Sequence, residues 1–252
     1  MKNTQLVILL LAILGLTSCT RTTLMQVLQP AEMKMPDHLT VVATIDRSKP
    51  SDGFLRVVEG LFTGEQIGQD QRGRLNALEG LNDALSNTPR FQLKMTNVVM
   101  EGSKTGERIS EPLSWGEIDR ICKDYDADCV LAIESYDSDL ANFTEGFEET
   151  YKDDDGNKQT RRRWRAFSDI GVKVGWRLYD PQKRVIVDEF MTRASERYSA
   201  EGDTERKARG GLPNMAANVF QISWLAGQRY GMRIAPVWVT VAREFYTNGK
   251  RE

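Results

Sequence analysis

Residues 127–139 read "ADCVLAIESYDSD", and the fold follows from how this stretch is placed. Cys129 to Ile133 form an unbroken apolar run, the mark of a buried strand. Before it lies "SWGEIDRICKDYDA", a helix signature in which Ser114 stands three residues ahead of Glu117, the spacing of a capping box. A helix leading into a buried strand is an α/β arrangement, with helices on one or both faces of a mixed sheet. The strand then runs out into carboxylates, Glu134, Asp137 and Asp139.

Upstream, "HLTVVATIDRS" reads as a second such strand, closed by Asp46, Arg47 and Ser48. "RLNALEGLNDALSNTP" predicts an amphipathic helix through Leu75, Leu78, Leu81, Ala84 and Leu85, stopped before Pro89. A strand follows in "RFQLKMTNVVM", and "FLRVVEGLFTGE" reads as a further helix. Between these two helices, "GEQIGQDQRG" reads as a glycine-rich joint; no Gly-Lys-Ser/Thr follows it, so it is no phosphate loop.

Downstream the pattern changes. Residues 143–168 predict a long hairpin with its tip at Asp153 to Asn157. Symmetric pairing about that tip sets Glu149 against Arg161 and Glu145 against Arg165. "IGVKVGWRLYD" and "RVIVDEFMTRASERY" predict another hairpin around Pro181. "GGLPNMAANVFQISWLAGQRYG" is a helix with Pro213 in its first turn and Gly231 past its end. "IAPVWVTVAREFY" is a last strand. The expected fold is α/β (α+β): a mixed β-sheet packed with about four helices, extended by a β-hairpin insertion, with residues 24–252 as a single domain.

The amino terminus gives an address. Lys2 precedes an apolar stretch from Leu6 to Leu16, shorter than the ~18 residues a spanning helix needs. Leu16-Thr17-Ser18-Cys19 resembles the bacterial lipobox. That resemblance implies a signal peptide over residues 1–18, acyl chains on Cys19, and a tether over 19–23. Two or three acyl chains hold a protein firmly where one holds it marginally. Thr20 in place of an aspartate after the cysteine, and no acidic run behind it, point to an outer-membrane anchor facing the periplasm.

The chain resembles an uncharacterised family of Bacteroidota envelope lipoproteins through "QPAEMKMPDHLTVVATIDRS", "VEGLFTGEQIGQD", "ADCVLAIESYDSD" and "YGMRIAPVWVTVAREFY". That family supplies no catalytic residue. At the level of fold, "ADCVLAIESYD" followed by "VKVGWRLYDPQKRVIVDEF" is similar to the α/β domains of the curli-secretion channel lipoprotein, the penicillin-binding-protein activator lipoproteins and the amino-terminal domain of TolB. Those domains bind protein partners or assemble, so the resemblance implies a protein partner in the envelope and leaves a homo-oligomer open.

Composition excludes several classes. A net charge of −2 argues against general nucleic-acid binding, which depends on neutralising phosphates. The one histidine, His38, leaves little for Cys/His catalysis or zinc. Neither cofactor nor metal is expected. "YKDDDGNKQT" fails as a calcium loop, because Tyr151 and Arg162 stand where its first and twelfth ligands belong. "RRRWR" places Arg161, Arg163 and Arg165 on one face, where the acidic sister strand neutralises them.

Two sites remain. Cys122 and Cys129 are either a disulfide stapling helix to sheet or two buried free thiols. If the strands ending at Asp46-Arg47-Ser48 and at Glu134 are parallel neighbours, these residues gather with Asp137 and Asp139 at one edge. That rim could dock a partner, hold a divalent cation, pair carboxylates for glycan hydrolysis, or be a solvated strand end. The sequence therefore predicts a non-catalytic partner-binding or assembly module. The alternative is an envelope hydrolase or divalent-metal-dependent enzyme using the carboxylates.

Overall fold

A computed structural model describes residues 20–49, 64–86, 88–102 and 108–246. The leader, Cys19 and most of the helix expected at "FLRVVEGLFTGE" lie outside the described residues. The chain divides into two compact units, residues 30–237 and a smaller one formed by residues 1–29 with 238–252.

The larger unit is built on a five-stranded sheet. In chain order its strands are β2 (Val41–Lys49), β3 (Gln92–Glu101), β4 (Cys129–Lys152), β5 (Lys158–Asp180) and β6 (Val185–Gly202), arranged β3-β2-β4-β5-β6. β2 runs parallel to both β3 and β4, whereas β4, β5 and β6 form an antiparallel meander. The mixed sheet and the α+β class are as the sequence predicts.

One side of the sheet is covered by α1 (Gly64–Ser86) and α4 (Met215–Ile234). Leu81, Leu85, Ile222, Ala226 and Tyr230 pack there on Leu131, Ile133, Val174 and Trp176. Trp176 and Tyr230 stack with centroids 4.9 Å apart and planes 7° from parallel. The other side carries α2 (Trp115–Tyr125), whose Ile118, Ile121 and Cys122 close over Ala43, Ile45, Val130 and Tyr179. The run from Cys129 to Ile133 is thus buried on alternate sides, as its unbroken hydrophobicity requires. The capping box of α2 is present: Glu117 N–H donates to Ser114 Oγ at 3.3 Å, and Ser114 N–H to Glu117 Oε2 at 3.1 Å. A short helix, α3 (Glu205–Gly210), follows β6.

The structure corrects several local expectations. The strand of "ADCVLAIESYDSD" and the 143–168 hairpin are not separate. β4 continues without a break through Leu140, Ala141 and Asn142, and β5 returns in unbroken register from Lys158 to Gly175. The predicted pairs Glu149–Arg161 and Glu145–Arg165 stand opposite one another.

The glycine-rich joint is helical and belongs to α1. A Cβ on Gly73 would come 1.9 Å from Tyr136 Oη, so this glycine serves packing. Leu75, expected in the core, is 52% exposed, and Ala77 takes its place. Gly231 lies inside α4 against Ala84, and the helix ends at Ile234. Pro213 precedes the N-cap Asn214, whose side chain accepts from Ala217 N–H.

The smaller unit contains β1 (Thr20–Gln29) and, from its second residue, β7 (Val237–Tyr246), which pair as a two-stranded sheet. Thr20 to Thr23, expected as a tether, are its first strand residues.

Candidate functional site

The parallel pairing of β2 with β4 sets Asp46 opposite Ile133 and so brings the two polar strand ends together. Alternation along each strand then divides the expected rim among different surroundings. Arg47 and Glu134 point to the α2 side. Glu134 has no solvent exposure. It receives hydrogen bonds from Arg47 Nη1 at 2.7 Å, Tyr179 Oη at 2.7 Å and Arg177 Nη1 at 3.2 Å. Arg47 also donates to the Glu111 carbonyl, and Arg177 Nε to Glu189 at 2.8 Å. Burial, with Glu134 at hydrogen-bond distance, pushes the Tyr179 phenol above its ordinary pKa.

Asp46 points the other way. It accepts from Ser48 N–H at 2.8 Å and Ser48 Oγ at 2.6 Å, a local turn, and lies 3.7 Å from Arg74 of α1. Asp137 and Asp139 do share a face, as their spacing predicts, and Lys173 Nζ bridges them at 3.1 and 3.2 Å. Those hydrogen bonds raise the lysine's pKa. Four carboxylates thus occupy three environments, each with an internal cation or hydroxyl.

Two surface hollows are prominent. One, of about 500 Å³, lies beside β3 and α2 between Val98, Met100, Ile121 and Tyr125. The other, of about 480 Å³, is lined by His38, Asp119, Asp128, Pro181 and Gln182, and its His38 Nε2 lies 2.8 Å from Asp180. Neither is lined by Asp46, Glu134, Asp137 or Asp139. Among the described residues, no group of three or more His, Cys, Asp or Glu side chains is placed to hold a metal ion.

The candidate disulfide is replaced by two free thiols. Cys129 packs in the α1–α4 core and Cys122 under α2, on opposite sides of the sheet. Burial pushes the Cys122 thiol up to about 11 and raises Cys129 further.

The partners that satisfy the rim include Lys173, Arg177 and Tyr179, which lie outside the residues expected from the sequence. Their signal is a pair of cations and a phenol at odd-numbered residues of "VKVGWRLYD" (172–180), the parity opposite to its apolar face of Val172, Val174, Trp176 and Leu178. A second feature is a ladder of aromatic rings on β4. Phe143, Phe147 and Tyr151 recur at every fourth residue of β4 and therefore share a face. Phe143 stacks on Phe167 of β5 at 4.8 Å. Arg161 lies over Tyr151 at 4.9 Å, Arg165 over Phe147 at 4.8 Å, and Arg197 over Phe143 at 5.6 Å. The same arginines are held by acids, Arg161 by Glu149, Arg165 by Glu201 and Arg197 by Asp169. The sister strand neutralises Arg161 and Arg163 through Glu149, as expected, whereas Arg165 lies 2.6 Å from Glu201 of β6 and 3.6 Å from Glu145 of β4; rings fill the spaces between the ion pairs. Phe143 and Tyr151 remain 41% and 40% exposed.

No helix among the described residues is long and apolar enough to cross a membrane. No curated protein matches the chain. Solved structures with some similarity include a PelC dodecamer variant from Paraburkholderia phytofirmans, at 11% identity and TM-score 0.29 over 84% of this chain and 100% of that one. A protein described as a neuraminyllactose-binding hemagglutinin homolog from Helicobacter pylori matches at 12% identity and TM-score 0.29, over 81% and 87%. A hypothetical protein from Chlamydia trachomatis matches at 12% and 0.25, over 63% and 73%. Residues 39–246 match a domain of unknown function, DUF8603, and this chain belongs to that family.

Proposed function

We propose that this protein is anchored through acyl chains on Cys19 to the periplasmic side of the outer membrane, where it acts as a non-catalytic module that docks an envelope protein. The lipobox residues Leu16 to Cys19 support the anchor. One contrast carries the docking role. The strand-end carboxylates are taken up by Arg47, Arg177, Ser48 and Lys173, while the ladder of rings and arginines on the outer half of β4–β5–β6 keeps Phe143 and Tyr151 open to solvent. Rings at low entropy cost, framed by arginine, are the side chains from which protein interfaces draw most of their energy.

Crosslinking and mass spectrometry on intact cells test the reading. The expected result is a recurrent envelope partner crosslinked near residues 143–167, lost in a Phe143→Ser/Tyr151→Ser variant. Repeated native recovery from membranes with no partner at that face would overturn the docking role. Persistence of lipid labelling in Cys19→Ser would overturn the anchor.

A further inference from the structure

The β1–β7 ribbon is an incomplete structure in water. Two paired strands are marginally stable without a third strand or a covering layer. Each strand has one edge without a partner strand in the described sheet. Yet the ribbon holds a concentration of exposed apolar side chains: Leu24 at 70%, Trp238 at 51%, and Met25, Val27, Leu28 and Phe245 near or above 40%. Its charges are few, Arg21, Arg243 and Glu244.

We propose that the β1–β7 ribbon lies in the headgroup layer of the membrane, so that the protein meets the lipid surface through a strand pair as well as through its acyl chains. The proposal rests on the anchor at Cys19. Thr20, the next residue, is the first of β1, so no spacer separates the anchor from the ribbon. At ~3.3 Å per residue, Leu24 is within about 17 Å of the anchor and cannot leave the neighbourhood of the surface.

The distribution of apolar groups fits a layer better than a flat protein partner. Leu24 and Leu28 project to one face of β1, Met25 and Val27 to the other. Strands ~4.8 Å apart make a ribbon narrow enough to enter a boundary ~5–10 Å deep with both faces in contact. The open edges limit the depth. Unpaired N–H and C=O groups remain hydrated among headgroups but are excluded from hydrocarbon. Trp238 belongs to the residue type enriched at that level.

The test uses the mature chain carrying Cys19→Ser, which has no acyl group, and vesicles of phosphatidylethanolamine and phosphatidylglycerol. The expected result is co-flotation with the vesicles, reduced at least about tenfold in Leu24→Ser/Trp238→Ser. Leu75→Ser, which alters an exposed apolar residue outside the ribbon, leaves it unchanged. Circular dichroism checks that each variant is folded. As an independent readout, brominated lipid quenches the Cys19→Ser chain more than the same chain carrying Trp238→Phe.

No flotation of a folded chain, or equal quenching of both proteins, overturns the proposal. So does concentration-dependent self-association that is lost in the ribbon variant while flotation is absent, because a second copy would then be the cover. Lipid labelling of wild-type protein in cells separates the two readings. A labelled chain whose Cys19→Ser form does not float loses the ribbon proposal alone, and an unlabelled wild type loses the anchor.

Discussion

Arg47 donates a 2.7 Å hydrogen bond to Glu134 across the parallel pair β2–β4, at a place where Glu134 is wholly shielded from solvent. An ion pair so placed loses hydration on both partners, and its own attraction offsets that loss only while both are present. Removing Glu134 strands Arg47 and takes a carboxylate from Arg177, whereas removing Arg47 leaves Glu134 with Arg177 and Tyr179. Glu134→Ala is expected to destabilise the fold by about 3–5 kcal/mol, and Arg47→Ala by less. The apolar double variant Arg47→Met/Glu134→Leu is expected to cost less than the sum of Arg47→Met and Glu134→Leu. Urea unfolding of the four proteins measures the coupling. Additive losses would mean that the pair does not act as a unit.

The two helices over the core approach as closely as they do because of glycines. A Cβ on Gly80 would come 1.9 Å from the Trp224 carbonyl oxygen, and one on Gly227 1.8 Å from that of Ala77. These are backbone atoms, so no side-chain rotation relieves the clash and the helices must separate. Gly227→Ala is therefore expected to destabilise by about 1–3 kcal/mol or more, despite alanine's better helix propensity. Gly116→Ala, with nothing within 4 Å of the added Cβ in α2, is the control and is expected to be neutral or stabilising. Thermal melts of both variants decide it.

These features show what the sequence carries and where it stops. The capping box at Ser114, the stop before Pro89 and the Glu149–Arg161 register were legible because each depends on neighbours in sequence. The joining of the central strand to the outer hairpin was not legible. Nothing at Leu140 to Asn142 distinguishes a strand passing straight on from two strands with a short link. Gly64, Gly68 and Gly73 read as a bend because glycine weakens an isolated helix, but Gly73 is there to admit Tyr136, a tertiary contact that no local pattern records. The parallel pairing of β2 and β4 brings the two polar strand ends together, but alternation turns Arg47 and Glu134 to one side of the sheet and Asp46 to the other. Asp46 and Arg47 are adjacent in sequence and therefore opposite in space.

The two cysteines yield a prediction in reactivity. Burial disfavours the thiolate of Cys122, pushing its pKa up to about 11, and that of Cys129 more strongly. With Cys19 replaced by serine, the folded protein is expected to react with a thiol-specific disulfide reagent only after denaturant is added. The same shift has a sign for stability. The unfolded thiol ionises near its ordinary value of about 9 while the folded one holds its proton, so stabilisation from Cys122 is complete below that pH and is lost between about 9 and 11. Cys122→Ala should flatten this alkaline decline. Rapid labelling of the native protein would show that the thiols are open.

Asp128 supplies the opposite case, in acid. Its Oδ2 accepts from Thr40 N–H at 2.9 Å, Thr40 Oγ1 at 2.6 Å and Val41 N–H at 2.8 Å, clamping the start of β2 to the turn that ends α2. Burial alone would raise its pKa, but these hydrogen bonds outweigh burial and hold the carboxyl below 3.8. A depressed folded pKa means that the contribution is fully present above the unfolded value and lost as pH falls through the folded one. Asp128→Asn keeps the shape and one acceptor oxygen without the charge, and is expected to be less stable at neutral pH by about 1–3 kcal/mol. The gap between wild type and variant should close as pH drops below 3.8, whatever the remaining carboxylates do, because they are common to both proteins. Urea midpoints across that range, with the Asp128 side-chain resonance followed by NMR, measure both quantities. A gap that persists unchanged at the acid end would show that the charge contributes nothing to the clamp.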